Sequence, residues 1–338
     1  MNHLKNHSLL THNTFGIDVK AKYFIPVIST ADLPAILDFI KANNSRVLVL
    51  GEGSNILFTK DFDGIILRMQ IEGIHVVKEN DEYYWVKAGG GIQWHELVMN
   101  TLRAGMTGLE NLAMIPGTVG AAPVQNIGAY GAELRDVMEA LEAYDLTTGE
   151  KKYFKNEECD FGYRDSIFKN ELKGRFMITN VVFRLNKKPG FNLSYEPLRK
   201  KMFELGEHDL TADDICSAVM EIRQNKLPDP AITGNAGSFF KNPVVDKLFW
   251  DNLKKTHTSI PGHPVTDTHT KIPAAWLIEQ CGWKGKRFGH VGVHDQQALV
   301  LINTGGASGT EILNLSKKIQ SSVKDKFGIA LSPEIRIL

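Results

Sequence analysis

Four short stretches of this 338-residue chain gather residue types that can do chemistry. "TGNAGSFFKNP", Thr233 to Pro243, places one hydroxyl, Ser238, between a glycine and two phenylalanines, with Lys241 close by. Such a serine either belongs to an ordinary turn entering a strand or donates a proton in a dry pocket. "GYRDS" offers Arg164, a cation at any working pH that can grip a carboxylate with two bonds. Its plainer reading is a surface arginine paired to Asp165. "GEGSN", Gly51 to Asn55, follows an apolar run as a phosphate-binding turn does. Glycines admit close backbone approach, and turn N–H groups can form an anion nest. A bland turn explains it equally well, and the dinucleotide fingerprint is missing, because the sixth position is Ile56. "IPGTVGAAPVQNIGAYG", Ile115 to Gly131, is more specific, with four glycines and two prolines in seventeen residues. It suits a backbone wrapped round a flat or phosphate-bearing ligand rather than a core. Linkers seldom mix Ile, Val and Tyr so regularly with glycine.

Composition excludes other classes. Acidic and basic residues balance at 39 each, so no global field draws the chain to nucleic acid or a membrane surface. Cys159, Cys216 and Cys281 are widely spaced and favour a reduced cytoplasmic protein. His290 and His294 have i, i+4 spacing, but the glycines of "GHVGVHD" argue against a helix, and no metal site is expected. No apolar run approaches the length of a membrane span, and the first residues lack a signal-peptide pattern. The histidine-rich start is expected to be a loose terminus.

These stretches need elements to position them. Thr30 is a candidate cap for a helix whose Leu33, Ile36, Leu37 and Ile40 recur at helical spacing. "RVLVL", Arg46 to Leu50, reads as a buried strand running into "GEGSN". Further strands are expected at "GIILRM", "IHVV", "YYWVKAG", "MEALEAYDL" and "RFMITNVVFRL". A helix near Trp94 to Ala104 interrupts them. The weakly periodic, glycine-rich segment from Gly105 to Leu134 is expected to be a functional loop. From Thr211 the texture changes: a capped helix, a helix over Ala274 to Cys281, the strand "ALVLIN", a long amphipathic helix from Ser308 to Phe327, and a last strand begun by Glu334.

"NTFG", "GEGSN", "IPGTVGAAPVQNIGAYG", "YRDS", "GSFFKNP" and "SPEIRIL" occur in one order along one chain. In this the sequence resembles the UDP-N-acetylenolpyruvoylglucosamine reductase family, the longer type with a substrate-closing tyrosine loop, over about Asn13 to Leu338. The resemblance implies an α+β chain: an FAD-binding fold of the vanillyl-alcohol-oxidase / p-cresol methylhydroxylase type, built as two α+β subdomains, plus a C-terminal α+β substrate domain. The expected boundaries are 1–70, 71–208 and 209–338. It implies non-covalent FAD, NADPH as reductant, and UDP-N-acetylglucosamine enolpyruvate as substrate. The setting implied is the cytoplasm of a bacterium, as a monomer with no nucleic-acid or membrane partner. Gly51, Gly53, Ser54 and Asn55 would face the FAD pyrophosphate. Gly117, Gly120, Asn126, Gly128, Ala129 and Tyr130 would line the rest of the flavin, with Arg223 and Arg336 in support. Members of the family often carry small hydroxyl residues where this chain has Ala121 and Ala122, so flavin bonds at those positions are expected from backbone.

The family's reaction delivers hydride to the terminal carbon of an enolpyruvyl ether, and negative charge builds on the adjacent carbon and its carboxylate. It needs a cationic clamp, a polar group at the carboxylate and a proton donor. By resemblance Arg164 is the clamp, Ser238 the proton donor and Glu334 the group near the enolate. Read from residues alone, an acid at Glu334 is more often a solvated strand end. Tyr195 would close over the UDP group, although a half-buried core tyrosine is as good a reading. Lys226, Asn242, Lys284 and Gln297 would contact the nucleotide or diphosphate. Three other readings stand beside this one. A related flavin oxidase of an alcohol or amine would often hold flavin covalently through His or Cys, and His95 is the nearest candidate. A nucleotide-sugar-binding module would have no use for the arginine, serine and glutamate. A nicotinamide-only dehydrogenase lacks its glycine fingerprint.

Overall fold

Partial alternation of buried and half-exposed residues marks the larger sheet. Along Tyr83–Gly89, Val86 and Ala88 are buried while Tyr83, Trp85 and Lys87 stay half-exposed, as a pleat with one face on a core requires. Five antiparallel strands follow the order Lys151–Lys155, Met138–Asp145, Phe176–Asn186, Tyr83–Gly89, Ile74–Glu79. Their buried residues, among them Leu141, Phe154, Val181 and Phe183, form one core with Trp94, Leu97, Val98 and Leu102. Those last four recur at helical spacing along Trp94–Arg103, so this helix lays one apolar stripe on that core.

The computed structural model describes residues 2–206 and 210–338. They fall into two units: Met1–His7, Ala21–Glu52 and Asp63–Asn225 in the first, and Ser8–Lys20, Gly53–Phe62 and Lys226–Leu338 in the second. The first unit also carries a four-stranded sheet in the order Leu4–Ser8, Lys20–Val27, Phe62–Met69, Arg46–Leu50, whose last pair is parallel. Its own core includes Ile25, Ile36, Ile65 and Leu67. The expected boundary at 208/209 lies outside the described residues.

In the second unit the short strands Ile56–Leu57 and Arg336–Ile337 pair in parallel. The helix Gly309–Phe327 starts at a capping box, with Ser308 Oγ accepting from Glu311 N–H and the Glu311 carboxylate accepting from Ser308 N–H. It stops at Gly328, a left-handed glycine at φ 69°. Ile312, Leu315, Ile319, Val323 and Phe327 are its buried stripe.

Several expectations are corrected. The cap before the first helix is Ser29, whose Oγ accepts Ala31 N–H at 3.1 Å; a short turn intervenes and the helix runs over Leu33–Asn43. Leu4–Ser8 is a strand rather than a loose end, because His3 and His7 stack on Phe39 and Phe24 with ring centroids 4.7 and 4.4 Å apart. The segment after Ile115 does supply core: Val119, Ala122 and Ile127 are buried with the larger cluster. The last strand begins at Arg336, two residues beyond Glu334. The helix Glu196–Leu205 and the strand Lys151–Lys155 lack a clean apolar period and were not expected.

Candidate active site

In the first unit, residues 90–95 act as a template for the glycine-rich segment. Val119 N–H bonds Ile92 C=O, Gly120 N–H bonds Gly90 C=O, and Trp94 N–H bonds Gly117 C=O, all at 2.9 Å. Gly120 has no room for a side chain, since a Cβ there would lie 2.8 Å from Ile178 C=O. Gly51 packs on the same segment, with its Cβ position 2.5 Å from Thr118 Oγ1. Asn126 is fully buried; its amide donates to Glu133 and to Gly162 C=O, and its carbonyl accepts from Arg135 N–H. Gly128 and Ala129 pair with Glu133 and Ala132 in a hairpin that turns at Tyr130.

That turn gathers five expected residues. Arg164 stands at the tip of the tight Gly162–Asp165 turn with φ 55°, and its guanidinium donates to Gly128 C=O. The Asp165 carboxylate accepts from Ser166 N–H and Asn170, both at 3.1 Å. Tyr130, also left-handed at φ 51°, meets Tyr195 edge-on at 5.2 Å, and the Arg223 guanidinium lies 5.9 Å from its ring centroid. Asn111, a buried residue that sequence reasoning missed, donates to Tyr130 C=O and Asn192 C=O at 2.8 Å each. It thereby ties the tyrosine loop to the hairpin.

Electrostatics make this cluster a cationic site. Burial holds Arg223 below the usual arginine range; a bond to Tyr130 opposes that, and repulsion from Arg164 adds to it. Both guanidinium groups remain charged. The Tyr130 phenol is pushed up, by burial first and by Tyr195, against the pull of Arg223. It is therefore a neutral hydroxyl. His95 is pushed down by burial and by Arg223, and its Nδ1 accepts Met114 N–H at 3.2 Å, which puts the ring proton on Nε2. Two mutually repelling cations beside neutral donors are a donor set for an anion.

In the second unit, backbone pairing sets Ser238 and Glu334 in register. Ser238 bridges Val300, Phe239 N–H bonds Leu299 C=O, and Glu334 N–H bonds Phe239 C=O, the last two at 2.8 Å. Phe239 and Phe240 are buried beneath this triple run, and Gly237 is left-handed with nothing within 4 Å of its Cβ position. Gly53 belongs here too: at φ 73°, a Cβ would lie 2.2 Å from His12 C=O. Ser54 and Asn55 complete its turn, and Arg336 N–H bonds Asn55 C=O at 3.0 Å. That bond ties the "GSN" turn to the strand that follows Glu334.

The remaining expected residues have visible employment. Asn242 accepts Ala274 N–H at 2.9 Å and so caps a helix start. Lys284 pairs with Glu279 on the surface. Gln297 accepts from Val300 N–H through its backbone and from Leu299 N–H through its side chain. Lys226 is the exposed last residue of Ala212–Lys226. Gly289–His294 is turn and strand, not helix, and no group of three metal-binding side chains occurs among the described residues. Burial pushes the Cys159 and Cys216 thiols up to about 12 and about 11, so neither is a ready nucleophile.

The residues present fit a diphosphate-bearing flavin. The first unit joins a close-packed glycine backbone to two arginines, a neutral phenol and a neutral imidazole, which are donors for phosphate and ring heteroatoms. Comparison with known proteins agrees. Residues 21–152 match an FAD binding domain, and residues 229–338 match the C-terminal domain of UDP-N-acetylenolpyruvoylglucosamine reductase. The chain is 46% identical over 334 residues to UDP-N-acetylenolpyruvoylglucosamine reductase from Amoebophilus asiaticus, covering 99% of this chain and 98% of that one. It is 47% identical to the Burkholderia cenocepacia enzyme of the same name, over 98% of this chain and 95% of the other. The fold is also that of UDP-N-acetylenolpyruvylglucosamine reductase from Thermus caldophilus, with a TM-score of 0.67 at 22% identity over 99% and 98% of the two chains.

Proposed function

The chain belongs to the UDP-N-acetylenolpyruvoylglucosamine reductase family, and from that premise we propose that Arg164, Ser238 and Glu334 carry its chemistry. It is an FAD-dependent oxidoreductase that reduces UDP-N-acetylglucosamine enolpyruvate to UDP-N-acetylmuramate with NADPH, in peptidoglycan synthesis. Bound FAD supplies the hydride to the terminal carbon of the enolpyruvyl group.

Arg164 holds the substrate carboxylate and stabilises the negative charge that spreads into it. Ser238 gives its proton to the carbon next to that carboxylate. A serine hydroxyl is a poor acid, so it needs nearby positive charge and little water; Phe239 and Phe240 keep the water out. Glu334 acts at the same carboxylate in its protonated form. Gly51, Gly53, Ser54, Asn55, Gly117, Gly120, Asn126, Gly128, Ala129, Tyr130, Arg223 and Arg336 hold the cofactor. Tyr195, Lys226, Asn242, Lys284 and Gln297 hold the nucleotide end of the substrate. The cofactor subdomains are 1–70 and 71–208 and the substrate domain 209–338, although the helix Ala212–Lys226 packs its buried face on the first unit's larger core. No helix among the described residues is long and apolar enough to cross a membrane. The working state is a cytoplasmic monomer whose partners are small molecules.

The observation that supports this reading most is Arg164, held in a left-handed turn with its guanidinium on Gly128 beside a second arginine. Backbone strain of that kind persists where surroundings impose it, and it concentrates at functional sites. The test is direct. Purified protein is expected to be yellow, to oxidise NADPH, and to do so faster with the enolpyruvyl substrate. Colourless protein that takes up no FAD would overturn the reading.

A further inference from the structure

Glu52, the one charged residue of "GEGSN", has no place in the chemistry above. In the first unit its carboxylate accepts Gly117 N–H at 2.6 Å. Gly117 C=O in turn accepts Trp94 N–H at 2.9 Å, so both polar groups of that residue are engaged. Gly117 has φ 118°, which only glycine adopts freely, and left to itself it would wander. Arg68 stands behind the clasp: its guanidinium donates to Gly51 C=O, and its charge interacts with Glu52. Burial lowers the Arg68 pKa and Glu52 opposes that shift, as expected of a half-buried cation beside a carboxylate. The neighbouring Thr118 hydroxyl is buried and makes no hydrogen bond, so it does not share the task.

A carboxylate next to a diphosphate site repels the ligand unless it does something else there. We infer that Glu52 is a positioning residue for the cofactor: its carboxylate, backed by Arg68, clasps the first glycine turn to the second glycine-rich segment and fixes how Gly117 and Thr118 are presented. The inference rests on the reading that these two segments hold FAD. It makes Glu52 a requirement for tight FAD retention although the side chain need never touch the cofactor.

FAD release from the holoenzyme, followed by recovery of flavin fluorescence on dilution, tests this. A hydrogen bond to a charged group is worth enough that Glu52→Ala should weaken FAD binding by about tenfold or more. Glu52→Gln keeps an acceptor oxygen at the same reach and should stay within about threefold of the unsubstituted protein by the same reasoning. Glu52→Asp keeps the charge but is one methylene short, and should resemble Glu52→Ala. An FAD affinity unchanged in Glu52→Ala, or as weak in Glu52→Gln as in Glu52→Ala, would overturn the clasp. If Glu52→Ala fails to fold, the Gln and Asp variants decide: Asp as tight as the unsubstituted protein overturns it. Gly117→Ala separates the two layers, because normal FAD binding by that variant would remove the underlying assignment of the segments, whatever Glu52 does.

Discussion

The candidate residues of the two units are held by different means. In the first unit the chain holds functional side chains on backbone that ordinary residues avoid. All seven non-glycine residues with positive φ among the described residues lie there, Met114, Asn126, Tyr130 and Arg164 among them. In the second unit left-handed positions are glycines, and Ser238 and Glu334 are set by strand-like pairing through Phe239. A left-handed residue other than glycine costs roughly 1–2 kcal/mol. The first unit offsets this with specific bonds: Asn111 to Tyr130, Arg164 to Gly128, His95 to Met114. A strained clamp cannot be re-aimed without breaking those bonds, whereas a paired strand can exchange side chains on a fixed frame.

The sharpest test of that contrast is Ser238→Ala. It should leave flavin reduction by NADPH nearly normal and slow flavin reoxidation by the enolpyruvyl substrate by about 10²–10⁴, the range for a lost general acid. Stopped-flow absorbance of the flavin separates the half-reactions, and equal losses in both would end the proton-donor role. Arg164→Ala should reduce substrate turnover by about 10²–10³, as for a lost charge-stabilising donor. Arg164→Gly should be equally inactive but more heat-stable than Arg164→Ala by roughly 1 kcal/mol, because glycine removes the strain. If the alanine variant melts as high as the glycine variant, the strain is not real.

Among the glycines, Gly53→Ala and Gly237→Ala share a left-handed backbone but differ in space. Gly53→Ala drives a methyl to 2.2 Å from a carbonyl, while Gly237→Ala meets nothing within 4 Å. Gly53→Ala should be the more destabilising, and the gap in melting temperature measures the steric part alone. The smallest effect concerns the five-stranded sheet of the first unit. Burial by itself would raise the Glu142 pKa, but hydrogen bonds from Lys87 and Lys151 outweigh it, and the net shift is downward from 4.5. A lowered folded-state pKa means stability present above the unfolded value and lost as pH falls through the folded one. Glu142→Gln should therefore melt lower at neutral pH, and the difference should close as the pH drops below about 4.5.

What could be read beforehand was local. The Trp94–Arg103 helix and the long helix ending at Phe327 are encoded in their own apolar periods, and both stand where their patterns put them. Composition marked the glycine-rich segment as a candidate functional loop but not its share of the core, Val119, Ala122 and Ile127. Long-range pairing hid the rest. Leu4–Ser8 is a strand through pairing with Lys20–Val27 that its own residues do not announce, and Asn111 carries no mark of bonding Tyr130 and Asn192. Arg164 gives no sequence sign of φ 55°, since outside glycine the left-handed region favours Asn and Asp rather than Arg. Asn242 was expected at a nucleotide, and its helix-capping bond depends on a helix thirty-two residues away.

The pairing of Arg336–Ile337 with Ile56–Leu57 has a consequence for synthesis. The "GSN" turn lies immediately before Ile56, and Asn55 C=O is bonded by Arg336 N–H. A ribosome makes the turn long before the strand that secures it. At about 5–20 residues per second the interval is many seconds. The nascent chain thus carries the "GSN" turn through that interval without the strand that secures it. Truncations that remove only the final strand should fail at holding the cofactor before they fail at forming the sheets of the first unit.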